Sequence, residues 1–307
     1  MKLQELYKKY KSGELDKYSY IESMHKKHQV IFDYFDYIKD TDIYSITIDN
    51  DKVYVTIKES GIKLFIDPFD SRFIPIEILN FKSFDPVERD LIFALARKSK
   101  TIFDIGANIG WYTLNFCTLD NVESVHSFEP IPRTFDFLTR HIQFNECNKA
   151  VLNNFALSNE CGEMEFYWNV KETGSSSMKN IQEREDSNKV LCQLRTLDGY
   201  AQERSVRIDM IKCDVEGAEL LVFQGGGNTI ERDKPFIFTE MLRKWSAKFG
   251  YHPNDIIKLL SDIGYECFAY VDKKIERFDV VTPETMPTNF FFFHRDKHKQ
   301  DIEILMK

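Results

Sequence analysis

Over the first forty residues, Ile21, Met24, His28, Ile31, Phe32, Phe35 and Ile38 recur at mostly three- and four-residue steps between charged positions. That spacing predicts helix. The pattern then turns to alternation. Tyr44-Ser45-Ile46-Thr47-Ile48 and Val53-Tyr54-Val55-Thr56-Ile57 flank the turn-forming Asp49-Asn50-Asp51-Lys52, which predicts a hairpin. A third apolar run, Ile62-Lys63-Leu64-Phe65-Ile66, ends at Asp67-Pro68. Residues 84–99 return to helical spacing, with Asp85 as N-cap and Pro86 at the first helical position.

From residue 101 onward, short apolar runs alternate with helical stretches. Strands are predicted over 101–105, 124–129, 150–157, 206–213, 235–240, 265–271 and 288–294. Such alternation gives an α/β layered domain with a largely parallel sheet, and its last two strands, separated by the polar 272–287, can close it as an antiparallel pair. The hydrophilic run 171–189 reads as a loop. The chain thus divides into an N-terminal helical and hairpin segment, 1–83, suited to pairing chains or covering an acceptor, and a larger domain, 84–307.

Composition narrows the function. Asp and Glu outnumber Lys and Arg by 49 to 41 in the 307 residues, for a net charge of -8, which disfavours broad attraction to nucleic acid. The N-terminus lacks the apolar core of a secretory signal, and no apolar run is long enough to span a membrane; the expectation is a cytoplasmic protein. The six cysteines show no zinc-ligand spacing.

The chemistry centres on Asp104-Ile-Gly106-Ala107-Asn108-Ile-Gly110, a glycine turn after a strand. Gly106 lets the backbone turn and come close to a ligand, Gly110 suits close helix packing, and the following helix offers free N–H groups. A dinucleotide fingerprint needs a glycine where Asn108 stands. Asp104 would repel a pyrophosphate and attract an ammonium, which suits a cofactor with an amino-acid tail. The next strand ends in Glu129-Pro130, where a carboxylate can accept hydrogen bonds from ribose hydroxyls.

These stretches, with Thr196-Leu197-Asp198 and above all Ile211-Lys212-Cys213-Asp214-Val215-Glu216-Gly217-Ala218-Glu219, resemble the FkbM-type S-adenosylmethionine-dependent methyltransferases over about residues 84–294. The resemblance implies a class I, Rossmann-like methyltransferase sheet with helices on both faces, and methyl transfer to a hydroxyl of a small molecule or glycan. It implies that the glycine loop holds the methionine portion, that Glu129 holds the ribose, and that Asn154-Phe155-Ala156-Leu157 supplies adenine contacts, chiefly Phe155 and Ala156. His126 and Cys213 stand where the family is usually apolar or small.

Three acids end neighbouring strands: Asp214, Glu216 and Glu240. Methyl transfer to a hydroxyl must remove a proton, and crowded carboxylates raise one another's pKa into the useful range. They are the expected catalytic groups, Asp214 also bordering the cofactor. Against that stand plainer roles: Asp214 as a helix cap, Lys212 paired with one of the acids, and Glu219 as a solvated helix residue. Several oxygen ligands in one cleft also suit Mg2+, though no spacing demands it. Gly174-Ser175-Ser176-Ser177 fits either an active-site border or a polar loop. Trp245, Phe249, Tyr251 and His252 fit an acceptor wall or ordinary packing. Two rival functions share these features. A nicotinamide-dependent oxidoreductase would want the missing glycine, and a non-catalytic S-adenosylmethionine-binding module would show no turnover.

Overall fold

The computed structural model describes residues 2–171, 176–179 and 187–307. Two helices, α1 (Leu3–Lys11) and α2 (Lys17–Tyr37), open the chain. The early helical period breaks in two because the Asp16 carboxylate accepts from the N–H groups of Tyr18 and Ser19 and starts a new helix. The hairpin forms as the alternation predicts. Strand β1 (Ile43–Ile48) pairs antiparallel with β2 (Val53–Ile57), and β3 (Lys63–Phe65) joins β2. Two further helices follow, α3 (Ile74–Phe81) and α4 (Arg89–Ala96). Helix α4 is shorter than the pattern over 84–99 predicts. Its cap is Glu88, because Asp85 adopts a left-handed φ of 45° that interrupts any helix.

Next come β4 (Thr101–Ile105), α5 (Trp111–Cys117), β5 (Ser124–Phe128), α6 (Pro132–Phe144), β6 (Ala150–Asn153), β7 (Ala156–Leu157), β8 (Gly162–Trp168) and β9 (Asn188–Arg195). The chain continues through α7 (Leu197–Arg204), β10 (Met210–Cys213), α8 (Glu219–Gln224), α9 (Gly227–Asp233), β11 (Phe236–Glu240) and α10 (Arg243–Ser246). It closes with α11 (Pro253–Asp262), β12 (Tyr265–Val271), β13 (Lys274–Arg277), β14 (Asn289–His294) and α12 (Lys299–Leu305).

Eight strands make one sheet in the order β13-β12-β14-β11-β10-β4-β5-β6. Strands β11, β10, β4, β5 and β6 run parallel, while β14, β12 and β13 are antiparallel. This is a Rossmann-like layered α/β sheet, as the alternation predicts. Both faces are buried, so neighbouring residues of one strand serve opposite cores: Phe291 and Phe293 pack on one side, Phe290 and Phe292 on the other. The order reverses at β4, which lies between β5 and β10, and that point opens the ligand edge of the sheet.

Two elements depart from the sequence pattern. The run 150–157 is not one strand: β6 belongs to the large sheet, whereas β7 pairs with β9 in a three-stranded sheet, β7-β9-β8. The polar run 171–189 also reaches into β9, whose partner β8 was hidden in a glutamate-rich stretch with short alternation. Among the described residues no helix is long and apolar enough to cross a membrane.

The N-terminal hairpin shares a core with the large sheet: Val55, Leu64 and Phe73 pack in the same cluster as Ile102 and Trp111. His141 of α6 makes the polar joint. Its Nε2 accepts from Phe65 N–H at 2.8 Å, and its Nδ1 lies 2.8 Å from the Ile109 carbonyl in the glycine turn. Burial pushes the imidazole down to about 4, so it is neutral and donates from Nδ1. Asn145 adds bonds to both the N–H and the C=O of Lys63. His141→Leu leaves one buried donor and one buried acceptor without partners, so it is expected to lower stability by about 2–5 kcal/mol in urea unfolding; a loss below about 1 kcal/mol would show that water reaches this joint.

Candidate active site

In-register pairing sets Asp104 of β4 beside Lys212 of β10 on one side and Ser127 of β5 on the other. Asp104 is fully buried and does not line the pocket; Thr113 Oγ1 donates to its Oδ2 at 2.7 Å, and Lys212 Nζ stands 3.6 Å from its Oδ1. The ammonium beside Asp104 therefore comes from the chain's own lysine. Lys212 Nζ also donates to the Gly106 carbonyl at 2.8 Å and lies 3.7 Å from Asp214. Burial works against its charge, but Asp214 and Asp104 outweigh burial and hold Lys212 above its ordinary value.

This lysine pins the glycine turn from below. From the side, the N–H groups of Gly106 and Ala107 both donate to the Phe128 carbonyl. Gly106, at φ 76°, is required for a reason other than ligand approach: a Cβ there would sit 1.8 Å from the Asp214 carbonyl oxygen. Its absence lets the turns after β4 and β10 touch. At Gly110, a Cβ would fall 2.6 Å from Leu138 of α6, which is the close helix packing its position predicts. Asn108 adopts φ 48° and presents its N–H to Glu129 Oε2 at 3.1 Å, while Ile131 N–H donates to Glu129 Oε1 at 2.9 Å. Burial pushes Glu129 up to about 7.

A pocket with about 830 Å3 of space, open solvent included, lies here. Gly106, Ala107, Asn108, Glu129, Pro130, Ala156, Asp214 and Glu216 line it, whereas Gly110, Phe155 and Glu240 do not. Asn108 Oδ1 and Trp111 Nε1, both on lining residues, are buried without a hydrogen-bond partner among the described residues. Orphaned polar atoms beside a carboxylate and a tight glycine turn fit a polar, nucleoside-bearing group.

The acids beyond β10 and β11 share one field. Glu216 sits at φ 55°, and burial followed by the charges of Asp214 and Glu240 holds it well above the carboxylate range. Glu240 is pushed up to about 9, first by burial and then by Asp214. Glu219 corrects an expectation. It is not solvated but fully buried, because its carboxylate accepts from the N–H groups of Val215 and Gly217 and so closes the turn that aims Asp214 and Glu216. Among the described residues, no group of three His, Cys, Asp or Glu is placed to hold a metal ion.

Sequence reasoning missed Asp85. Taken as a helix cap, it instead lines the pocket and accepts from Tyr112 Oη at 2.7 Å, with burial pushing it up to about 6. Its cue was misread because Phe84-Asp85-Pro86 also has the form of a helix start. Phe166 and Met178 also line it. Ser176 borders the pocket and Ser177 Oγ donates to the Glu216 carbonyl at 2.9 Å; Gly174 and Ser175 lie outside the described residues. The aromatic group after Glu240 is packing. Tyr251 Oη donates to the Gly217 carbonyl at 2.9 Å, Trp245 covers Gly217, and His252 caps α11. His126 is a core residue held by Tyr200 Oη at 2.8 Å.

Residues 104–267 match the family described as the methyltransferase FkbM domain. The chain is 27% identical to the hexuronic acid methyltransferase AglP of Haloferax volcanii, across 57% of this chain and 68% of that protein. It is 26% identical to the 2-O-methyltransferase NoeI of Sinorhizobium fredii, across 50% of this chain and 68% of that one. Among solved structures, the methyltransferase FkbM from Methylobacillus flagellatus aligns at a TM-score of 0.41 and 17% identity. That alignment covers 64% of this chain but only 44% of the solved one, so this chain spans less than half its length.

The buried pair makes a sharp prediction. Lys212→Met strands Asp104 without its counter-charge and is expected to cost about 3–5 kcal/mol in urea unfolding. Adding Asp104→Asn is expected to recover part of that loss. Strictly additive losses would show that Lys212 does not neutralise Asp104.

Proposed function

The chain belongs to the FkbM methyltransferase family, and on that premise we propose that it moves a methyl group from S-adenosylmethionine to a hydroxyl oxygen of a small molecule or glycan. Bound in the pocket, the cofactor supplies an electrophilic methyl on a sulfonium whose positive charge disappears as the methyl leaves. The observation that carries the reading is the convergence of Glu129, the glycine turn and the acids Asp214 and Glu216 on one pocket at the strand-order reversal.

The residues divide the work. Glu129 has each oxygen fixed by one backbone N–H, which leaves lone pairs free to accept from ribose hydroxyls. Asn108 Oδ1, with no partner among the described residues, is available to a donor on the cofactor. Ala156, from the stretch assigned to adenine, lines the pocket together with Pro130, whereas Phe155 does not reach it. Lys212 holds the Gly106 carbonyl and Asp104 in place from beneath.

Glu216 is the group we assign to the proton of the acceptor hydroxyl. Without ligands, burial and then the charges of Asp214 and Glu240 favour its protonated form. A cationic ligand works in the opposite direction and favours the carboxylate, which can then accept a hydroxyl proton. Asp214 supplies part of the field and Glu240 tunes it from outside the pocket. The reading extends to sugars because two relatives are named for hexuronic acid and 2-O methylation. Nothing in it requires Mg2+.

The test is transfer of a deuterated methyl group from labelled S-adenosylmethionine to a panel of hydroxylated glycosides and small alcohols, read by mass spectrometry. An O-methyl product is expected. Glu216→Gln is expected to lower kcat about 100-fold or more with S-adenosylhomocysteine affinity kept within about threefold. Wild-type turnover retained in Glu216→Gln would remove the general-base assignment, and exclusively N- or C-methylated products would overturn the O-methyl reading.

A further inference from the structure

Helix α2 runs for 21 residues without one buried side chain. Helix α1 shields only one flank of its first half, where Tyr10 stacks on Tyr20 at 4.5 Å and Ser23 and Met24 are half-buried. A different face stays open along the whole helix. Tyr18, Ile21, His25, His28, Phe32 and Phe35 follow one another at steps of three, four, three, four and three. That is the a/d seam of a coiled coil, with Tyr18, His25 and Phe32 at a and Ile21, His28 and Phe35 at d. Tyr18 is 83% exposed, Phe32 68%, Phe35 63% and Ile21 52%.

We propose that this seam is a docking surface for a second copy of the chain, and that the two α2 helices pair antiparallel about a two-fold axis between His25 and His28. The seam itself points to the occupant. Its chemistry is symmetric about its centre, with a histidine pair in the middle and aromatic or aliphatic residues at both ends. Antiparallel pairing then stacks Tyr18 on the partner's Phe35, Ile21 on the partner's Phe32, and His25 on the partner's His28. Each contact occurs twice, as an isologous interface requires. The histidine layers fix the register, because any slip buries an imidazole against phenylalanine or isoleucine.

Charge selects the direction. The first half of α2 carries Lys17, Lys26 and Lys27 against Glu22 alone, and the second half carries Asp33 and Asp36. About this axis Lys17 stands opposite the partner's Asp36 at each end, with Lys26 and Lys27 at the outward b and c positions near the centre, whereas a parallel pair would set Lys17 beside Lys17 and Asp36 beside Asp36. Antiparallel pairing also puts the rest of each chain, attached directly after α2, at opposite ends of the pair. The three lysines are balanced by Glu22, Asp33 and Asp36, and two of these acids lie in the more apolar half. That arrangement is poor for an anionic bilayer surface, which favours a basic polar face. Aromatic side chains carry about 150–250 Å2 each, so the seam with its exposed neighbour Ile31 offers roughly 600–700 Å2 per chain, near the ~800 Å2 of a standard interface. The pairing deepens the expected role of the N-terminal segment in joining chains and is independent of the methyl-transfer reading.

Sedimentation velocity on the full chain from about 1 to 100 µM tests it. The expected mass at the upper end is twice the 36.2 kDa of one chain. Ile21→Glu with Phe32→Glu is expected to give one-chain mass throughout, with an unchanged melting temperature as the control for folding. Orientation has its own readout. Ile21→Cys and Phe32→Cys together in each chain are expected to close a reducible covalent dimer under mild oxidation, whereas either alone does not. Like positions lie eleven residues apart across the pair, about 16 Å along the axis, beyond the ~7 Å reach of a disulfide. A wild-type chain that stays single at 100 µM overturns the proposal. So does a dimer indifferent to the two glutamates, cross-linking by either cysteine alone, or a single chain that floats with phosphatidylglycerol vesicles.

Discussion

The buried ammonium of Lys212 organises the centre of this protein. An isolated charge in a sheet interior costs several kcal/mol, and here it is met by Asp104 on the adjacent strand, Asp214 at the end of its own strand and the Gly106 carbonyl between them. One cation thereby ties two parallel strands and the turn that joins the sheet to α5. The contact in turn forces glycine at 106, because the Asp214 carbonyl occupies the space a side chain would need. Moving any one of these groups moves the others, so the wall of the pocket follows from a single electrostatic requirement.

The same field explains why neighbouring acids differ. Glu129 meets two backbone N–H groups and sits where burial pushes it up to about 7, poised to change charge near neutrality. Glu219 has a similar displacement, also from burial, but its hydrogen bonds face inward and it serves the turn. Glu216 lies in the pocket among other carboxylates, and burial together with the charges of Asp214 and Glu240 holds it above the usual carboxylate range. In the proposed function, three glutamates of equal intrinsic chemistry thus separate into ligand recognition, turn closure and proton handling according to what surrounds each one.

Much of this was legible in the residues. The strands of the large sheet announce themselves because burial on both faces makes them continuous apolar runs, as in Phe290 to Phe293. The hairpin showed by alternation, and the turn at 104–110 by the glycines and Asn108. What was not legible depended on distant contacts. Asp85 and Pro86 satisfy the local rules for a helix start, yet Tyr112, 27 residues away, draws the carboxylate into the pocket. Glu219 stands on an ordinary helical pattern, and only the tight 215–217 turn reveals that it caps backbone. Strand β8 is mostly exposed and too acidic to stand out until β9, beyond the polar run, pairs with it. Local pattern recovered the elements, whereas side-chain roles waited on which elements met.

The central claim is that Glu129 and the 104–110 turn hold a nucleoside with an amino-acid tail. Isothermal titration of S-adenosylhomocysteine into wild type and Glu129→Ala, with NAD alongside, tests it most directly. Loss of hydrogen bonds to a charged acceptor, at about 1.5–3 kcal/mol, predicts affinity weakened about 10- to 100-fold by the substitution and no heat from NAD. Equal affinities for the two proteins, or binding of NAD in place of S-adenosylhomocysteine, would contradict it.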